Sequence, residues 1–225
     1  MQPRQAIRRD AAVDEGIIVT RVTVVDYKAG NLTSVLKALR HLGADVEVTD
    51  RDLGLIGRAE RIVLPGVGHF NATKRLEDTG ITGAVRAAIA RGVPFLGICV
   101  GMQWLYAGSS EAPEISGLGH FSSGCERFPE CELKVPHVGW NAIEPAAGSR
   151  LLSGVEDGSY VYFTHSYRAP VTAETAATAD YIEPFAAAVE RGNVMGVQFH
   201  PEKSGDTGLR ILRNFLRWQT GRESC

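Results

Sequence analysis

The sequence predicts an α/β fold, a doubly wound and mostly parallel sheet with helices on both faces and added antiparallel strands in the C-terminal half. Three observations lead there. Short apolar strands alternate with helical stretches from Val22 to about Ala107. Strand-rich segments then dominate, including a hairpin of Phe185–Val189 and Val194–Phe199 around Glu190-Arg191-Gly192-Asn193. A sharp strand-to-helix junction, Gly97-Ile98-Cys99-Val100-Gly101, sits between the two regimes.

Residues 1–20 are polar and charged, without an apolar signal core, and their acids argue against a transit peptide. They are expected to form a mobile N-terminal extension, with residues 21–225 as a single domain. Val22–Val25 reads as the first strand. Leu32, Val35, Leu36, Leu39 and Leu42 recur at helical spacing, and Gly43 ends that helix. Ala44–Val48 and Arg61–Leu64 follow as strands, and Asn71–Arg91 as helix split near Gly80. Phe95–Ile98 is a buried strand, and the helix after it is expected to run from Val100 to Ala107. Gly108–Arg127 reads as loop, Ser159–Tyr167 as an aromatic strand, and Gly208–Trp218 as the last helix.

The junction around Cys99 has the form of a nucleophile elbow with Cys in place of Ser. Such a turn strains the central residue and crowds its flanks, which explains glycine on both sides. It leaves the sulfur exposed at the sheet edge, near the positive end of a helix. Taken alone, the pattern fits a small buried hydrophobe equally well. The second stretch, Val197-Gln198-Phe199-His200-Pro201-Glu202, favours the nucleophile. A strand delivers His200, proline biases it to an extended backbone, and positions two apart in an extended chain point the same way. Glu202 then orients the imidazole, and His200 takes the proton of Cys99. An ordinary hydrogen-bonded loop histidine is the alternative for His200. An acyl-transfer elbow also needs two N–H donors for an oxyanion, the first from the residue after the nucleophile, Val100.

Gly-Ile-Cys-Val-Gly-Met-Gln and Phe-His-Pro-Glu resemble the class I (triad) glutamine amidotransferases, from about Val22 to near the C-terminus. Asp-Tyr-x-x-Gly-Asn-Leu at Asp26–Leu32 and Pro-His-x-Gly-Trp-Asn at Pro136–Asn141 are similar to the glutaminase subunits of imidazole glycerol phosphate synthase, in histidine biosynthesis. The resemblance implies that the second oxyanion donor is the N–H of Val67, in Pro65-Gly66-Val67-Gly68, on a peptide that reorients to complete the hole. It places Gly68, Gln103, His165, Ser166 and Tyr167 against the glutamine substrate. Gln103 could equally be an ordinary helix glutamine, and His165 a satisfied strand-end histidine. The resemblance also implies a heterodimer with a cyclase subunit, a (β/α)8 barrel, touching Asn31, Trp140, Tyr162 and Lys203. Trp140, on what reads as a Gly-containing turn, could alternatively be core. Where the family commonly has Gly, this chain has Lys28.

Composition narrows the rest. In 225 residues, 24 basic and 26 acidic side chains leave a net charge of −2, which points to no nucleic acid or charged membrane surface. No apolar run approaches the ~20 residues of a membrane span. Four cysteines form no dense framework and fit a reducing cytoplasm. His120, Cys125, Cys131 and His137 match no common zinc spacing, so no metal is expected, and the implied chemistry needs no cofactor. The expected function is hydrolysis of glutamine to glutamate and ammonia through a Cys99 thioester, with ammonia passed to the cyclase. The alternatives are the glutaminase of another amidotransferase, such as that of pyridoxal phosphate synthesis, or a catalytically silent regulatory subunit.

Overall fold

The computed structural model describes residues 20–28, 30 and 32–219. The expected extension therefore lies outside the described residues except for Thr20, and Asn31 lies outside them too. In chain order the elements are β1 (Arg21–Val25), α1 (Thr33–His41), β2 (Asp45–Thr49), α2 (Leu53–Gly57), β3 (Ile62–Gly66), α3 (Lys74–Asp78), α4 (Ile81–Ala90), β4 (Phe95–Cys99) and α5 (Val100–Gln103). There follow β5 (Glu126–Arg127), β6 (His137–Pro145), β7 (Ser159–His165), β8 (Tyr167–Arg168), β9 (Thr175–Tyr181), β10 (Glu183–Arg191), β11 (Val194–Val197) and α6 (Gly205–Leu216). Short 3-10 turns cover Phe70–Thr73 and Pro201–Lys203.

A nine-stranded sheet runs in the order β2-β1-β3-β4-β11-β10-β9-β6-β7. β2, β1, β3, β4 and β11 pair in parallel, and β10, β9, β6 and β7 extend them antiparallel. Every residue of β3, β4 and β11 is buried. Continuous apolar runs of this kind belong to parallel strands covered on both faces. The buried apolar side chains form one cluster spanning both halves of the sheet. No helix among the described residues is long and apolar enough to cross a membrane.

Register positions the site. β4 pairs with β3 so that Cys99 lies beside Gly66, and with β11 so that Ile98 lies beside Val197. The ends of three neighbouring parallel strands thus bring Cys99, the Gly66–Val67 loop and the His200 segment to one edge.

Some elements differ from expectation. α5 stops at Gln103 instead of continuing to Ala107. The N–H groups that would continue it go elsewhere: Leu105 and Tyr106 N–H bond only three residues back, to Met102 O at 3.0 Å and Gln103 O at 3.1 Å, and Ala107 N–H donates to Ser123 O at 3.0 Å. The Pro136–Asn141 stretch is largely strand, within β6, with Gly139 at φ 140° taking up the twist. α2, with two glycines in five residues, has no periodicity to announce it; it is started by the Asp52 carboxylate, which accepts from Leu55 N–H at 3.0 Å. The split near Gly80 is present, with Gly80 in the left-handed region at φ 77° between α3 and α4.

Candidate active site

Cys99 sits at φ 54°, ψ −110°, a backbone conformation that costs a non-glycine residue on the order of 1–3 kcal/mol. The neighbours show what holds it there. A Cβ on Gly97 would lie 2.4 Å from Gly101 O, and a Cβ on Gly101 would lie 1.8 Å from Leu64 O. Strand, elbow and the adjacent β3 therefore close on one another with backbone only. The sulfur is not left open as the elbow pattern implies: Cys99 is 3% exposed. Its Sγ lies 3.6 Å from Gln198 Nε2 and 3.9 Å from Thr164 O.

His200 is extended, at φ −100° and ψ 95°, but Pro201–Lys203 then turns as a 3-10 helix. Glu202 reaches the imidazole through that turn, not along an extended strand. Its Oε1 is 2.9 Å from His200 Nδ1, and the two side chains are 2% and 5% exposed. A carboxylate accepts only, so Nδ1 carries the proton and Nε2 faces the sulfur side. Burial disfavours the imidazolium; the interactions with Cys99 and Glu202 overcome it and raise the His200 pKa to about 10. By geometry, Nε2 of His200 and Oε2 of Glu202 have no hydrogen-bond partner among the described residues. Cys99 and the imidazole are thus close neighbours without a formed hydrogen bond between them.

A narrow cleft beside these groups is lined by Gly30, Leu32, Val35, Pro65, Gly66, Val67, Ile98, His200 and Glu202. Tight packing shapes the Val67 loop. A Cβ on Gly66 would lie 1.8 Å from the Tyr27 hydroxyl, and one on Gly30 would lie 1.8 Å from Val67 Cγ2. Lys28 adopts φ 64°, the left-handed form that glycine takes easily, and its N–H and ammonium each lie 2.8 Å from the Asp26 carboxylate. A larger open cavity of about 730 Å³ lies elsewhere, between Pro145–Val155 and Asn214–Trp218, and holds no nucleophile–base pair.

The family profile described as "Glutamine amidotransferase class-I" matches residues 23–218. The chain belongs to the class-I glutamine amidotransferases. Among relatives of this amidotransferase, "Imidazole glycerol phosphate synthase subunit HisH" of Deinococcus radiodurans is 46% identical over 200 residues, covering 87% of this chain and 93% of that protein. The protein of the same name from Methanosarcina acetivorans is 46% identical, covering 87% and 98%. That from Aquifex aeolicus is 42% identical, covering 88% and 96%. Among solved structures, "Structure of PurLQS from Thermotoga maritima" aligns with a TM-score of 0.68 at 18% identity, covering 88% of this chain and 98% of that one. A structure titled "Crystal structure of glutamine amidotransferase" gives 0.68 at 20% identity, covering 87% and 98%. At those identities the structural likeness speaks for the fold.

Within the amidotransferase, the expected substrate residues divide. Gly68, at φ 96°, continues the Val67 loop, and nothing would meet a Cβ there within 4 Å. Ser166 and Tyr167 are half-buried beyond the end of β7. Both ring nitrogens of His165 have partners within the protein. Its Nδ1 lies 3.0 Å from Tyr167 O and its Nε2 3.2 Å from His137 Nδ1. A carbonyl only accepts, so His165 donates from Nδ1 and accepts from His137. Burial lowers the pKa of His165 to about 3 and that of His137 to about 4, so both are neutral. His137 lies in the aromatic core, stacked 3.9 Å from the Tyr181 ring. Gln103 is 2% exposed, and its amide nitrogen is already held by Tyr167 O at 2.9 Å and Gln198 Oε1 at 3.1 Å. Only its Oε1 is left to turn towards a substrate. No three His, Cys, Asp or Glu side chains among the described residues converge as metal ligands.

Trp140 is 55% exposed on β6, opposite Tyr162 of β7, with ring centroids 6.1 Å apart. The Lys203 ammonium is 5.5 Å from the Tyr162 ring. Val138 and Tyr160 extend the same outward face, so these residues form an apolar patch beside the catalytic edge. Two residues of the site were missed from sequence: Gln198, against the sulfur, and Ser204, whose hydroxyl donates to His200 O at 2.6 Å and accepts from Tyr162 N–H at 3.0 Å. Gln198 had a usable signal, since it lies two positions before His200 at the end of an apolar strand.

Proposed function

We propose that this class-I amidotransferase is the glutaminase subunit of imidazole glycerol phosphate synthase, releasing ammonia from glutamine for a cyclase partner in histidine biosynthesis. The carrying observation is the buried Cys99–His200–Glu202 constellation, with Cys99 at φ 54° and the His200–Glu202 pair at 2.9 Å. The 46% identity to subunits with that name supports the choice of synthase.

Cys99, deprotonated by His200, attacks the side-chain amide carbon of glutamine. The C=O π bond opens to a tetrahedral oxyanion, held by the N–H groups of Val67 and Val100. His200, now imidazolium and oriented by Glu202, protonates the departing nitrogen, and ammonia leaves a γ-glutamyl thioester. Water, deprotonated by His200, attacks the thioester; glutamate is released and the thiolate restored. Gly68, Gln103 through Oε1, and the backbone around Ser166 and Tyr167 surround the substrate's polar end.

Ammonia released into water is largely protonated and lost as a nucleophile, so a second active site collects it. The Trp140–Tyr162 face with Lys203 is the docking surface for the cyclase barrel, as a heterodimer in the cytoplasm. The test is glutamine hydrolysis by the purified chain, alone, with the cyclase, and with the cyclase and its nucleotide substrate. Strong stimulation in the last mixture is expected. Equal activity in all three discards the partner, and no hydrolysis in any discards the glutaminase.

A further inference from the structure

The polar chain beneath the nucleophile has a direction that can be read from donor and acceptor chemistry. It starts at Tyr167 O, which only accepts. The Gln103 side-chain atom 2.9 Å away is therefore its amide nitrogen. That nitrogen is 3.1 Å from the side chain of Gln198, where it requires an acceptor, so Gln198 presents Oε1 to Gln103. The other end of the Gln198 amide, Nε2, is thereby turned to Cys99 Sγ at 3.6 Å. Which end of the Gln198 amide is nitrogen is here fixed by a backbone carbonyl through one intervening side chain, Gln103. Gln103, Gln198 and Cys99 are 2%, 0% and 3% exposed, so water does not compete along this chain. Across the sulfur, the Thr164 carbonyl oxygen at 3.9 Å disfavours negative charge and suits the protonated thiol.

We propose that Gln198 is a catalytic residue, donating its side-chain N–H to the Cys99 thiolate, and that Gln103 is a positioning residue that keeps the donor end of that amide towards the sulfur. The inference rests on the glutaminase reading for its role in turnover, but not for the contact itself. A buried anion needs donors, and a charge-assisted hydrogen bond is about twice as strong as a neutral one. Gln198 provides that donor both when Cys99 attacks and when the thiolate leaves the thioester. His200 alone would have to balance the charge otherwise, and it is also the group that must give its proton away.

The test compares Gln198→Met, which keeps length and removes the donor, with Gln198→Glu, which keeps shape and puts oxygen at both ends. The readout is the pH profile of iodoacetamide alkylation at Cys99, followed by mass spectrometry of its peptide without glutamine or partner. In Gln198→Met the profile's midpoint is expected to rise by about one pH unit, with kcat about tenfold lower and KM nearly unchanged. Gln198→Glu is expected to move further in the same direction. An unmoved midpoint in Gln198→Met, or a Glu variant closer to the parent than the Met variant, overturns the proposal. A shifted midpoint in a chain without glutaminase activity would instead sink the functional reading and leave the contact standing. In the unsubstituted protein labelled with 15N-glutamine, the Gln198 side-chain amide signal is expected to shift as pH crosses the alkylation midpoint. A signal that stays fixed overturns the proposal even if the variants do not fold.

Discussion

The backbone N–H of His200 donates to the carbonyl of Tyr162 at 2.8 Å. His200 is thus hung from β7, whose Tyr162 faces outward opposite Trp140 of β6. Ser204 doubles the link with its hydroxyl, between Tyr162 N–H and His200 O. Replacing Ser204 with Ala leaves two backbone groups without this partner. The expected cost is about 1–3 kcal/mol of stability, with a fall in kcat larger than any change in KM. Denaturant melts and steady-state kinetics on the same preparation check both.

Stability should depend on the His200 protonation state. Its pKa is raised in the folded protein from about 6.5 to about 10, so the folded state holds that proton more tightly than the unfolded chain. This contribution is fully present below about pH 6.5 and is lost as pH rises through about 10. Thermal melting should fall across that window. In Cys99→Ala, which lacks the sulfur that helps raise the imidazole, the decline should be shallower.

The His137–His165 pair acts at the other end of the scale. Both are held neutral, with pKa values lowered to about 4 and about 3, so the unfolded chain binds more protons between there and about pH 6.5. Stability should drop as pH falls through that range. His165→Gln, which cannot titrate, should move the acid midpoint of a circular dichroism titration to lower pH.

Two glycine substitutions should diverge in sign. Gly101→Ala forces a Cβ to 1.8 Å from Leu64 O, methyl against backbone, and should cost about 3 kcal/mol or more, or prevent folding. Gly83, inside α4, has open space where an alanine methyl would go, with no atom within 4 Å. Gly83→Ala should therefore stabilise by roughly 0.5–1 kcal/mol. Chemical denaturation of both variants decides the matter.

Trp140→Ala removes a side chain that is 55% exposed and lies outside the buried core. Folding stability should stay within about 0.5 kcal/mol. Affinity for the cyclase should fall by about 30-fold or more if Trp140 is an anchor, as titration calorimetry would report.

Much of the site was legible because its constraints are local. Gly97 and Cys99 announce a turn whose sterics act within a few residues, a Cβ on Gly97 meeting Gly101 O, and His200-Pro201-Glu202 is a short link that works by either extended or 3-10 geometry. What stayed hidden depends on distant partners. The end of α5 is set partly by Ala107 N–H turning to the carbonyl of Ser123, sixteen positions on, which no helical periodicity can reveal. The pairing of the His165 ring with His137, 28 positions away, is also invisible in the local sequence. The burial of Cys99 likewise needs β7 and β11 alongside β4, the joint product of three strands far apart in the chain.

Leu64 and Gly101 meet with no room for a side chain between them. The elbow is accordingly one half of a two-piece casting, and the other half is β3 with the Pro65–Val67 loop at its tip. Grafting the elbow motif onto another sheet would transplant a cysteine without the wall it is pressed against. Substitutions that reshape either piece would have to be accepted together, so Cys99 and the Pro65–Val67 loop tolerate change only as a unit.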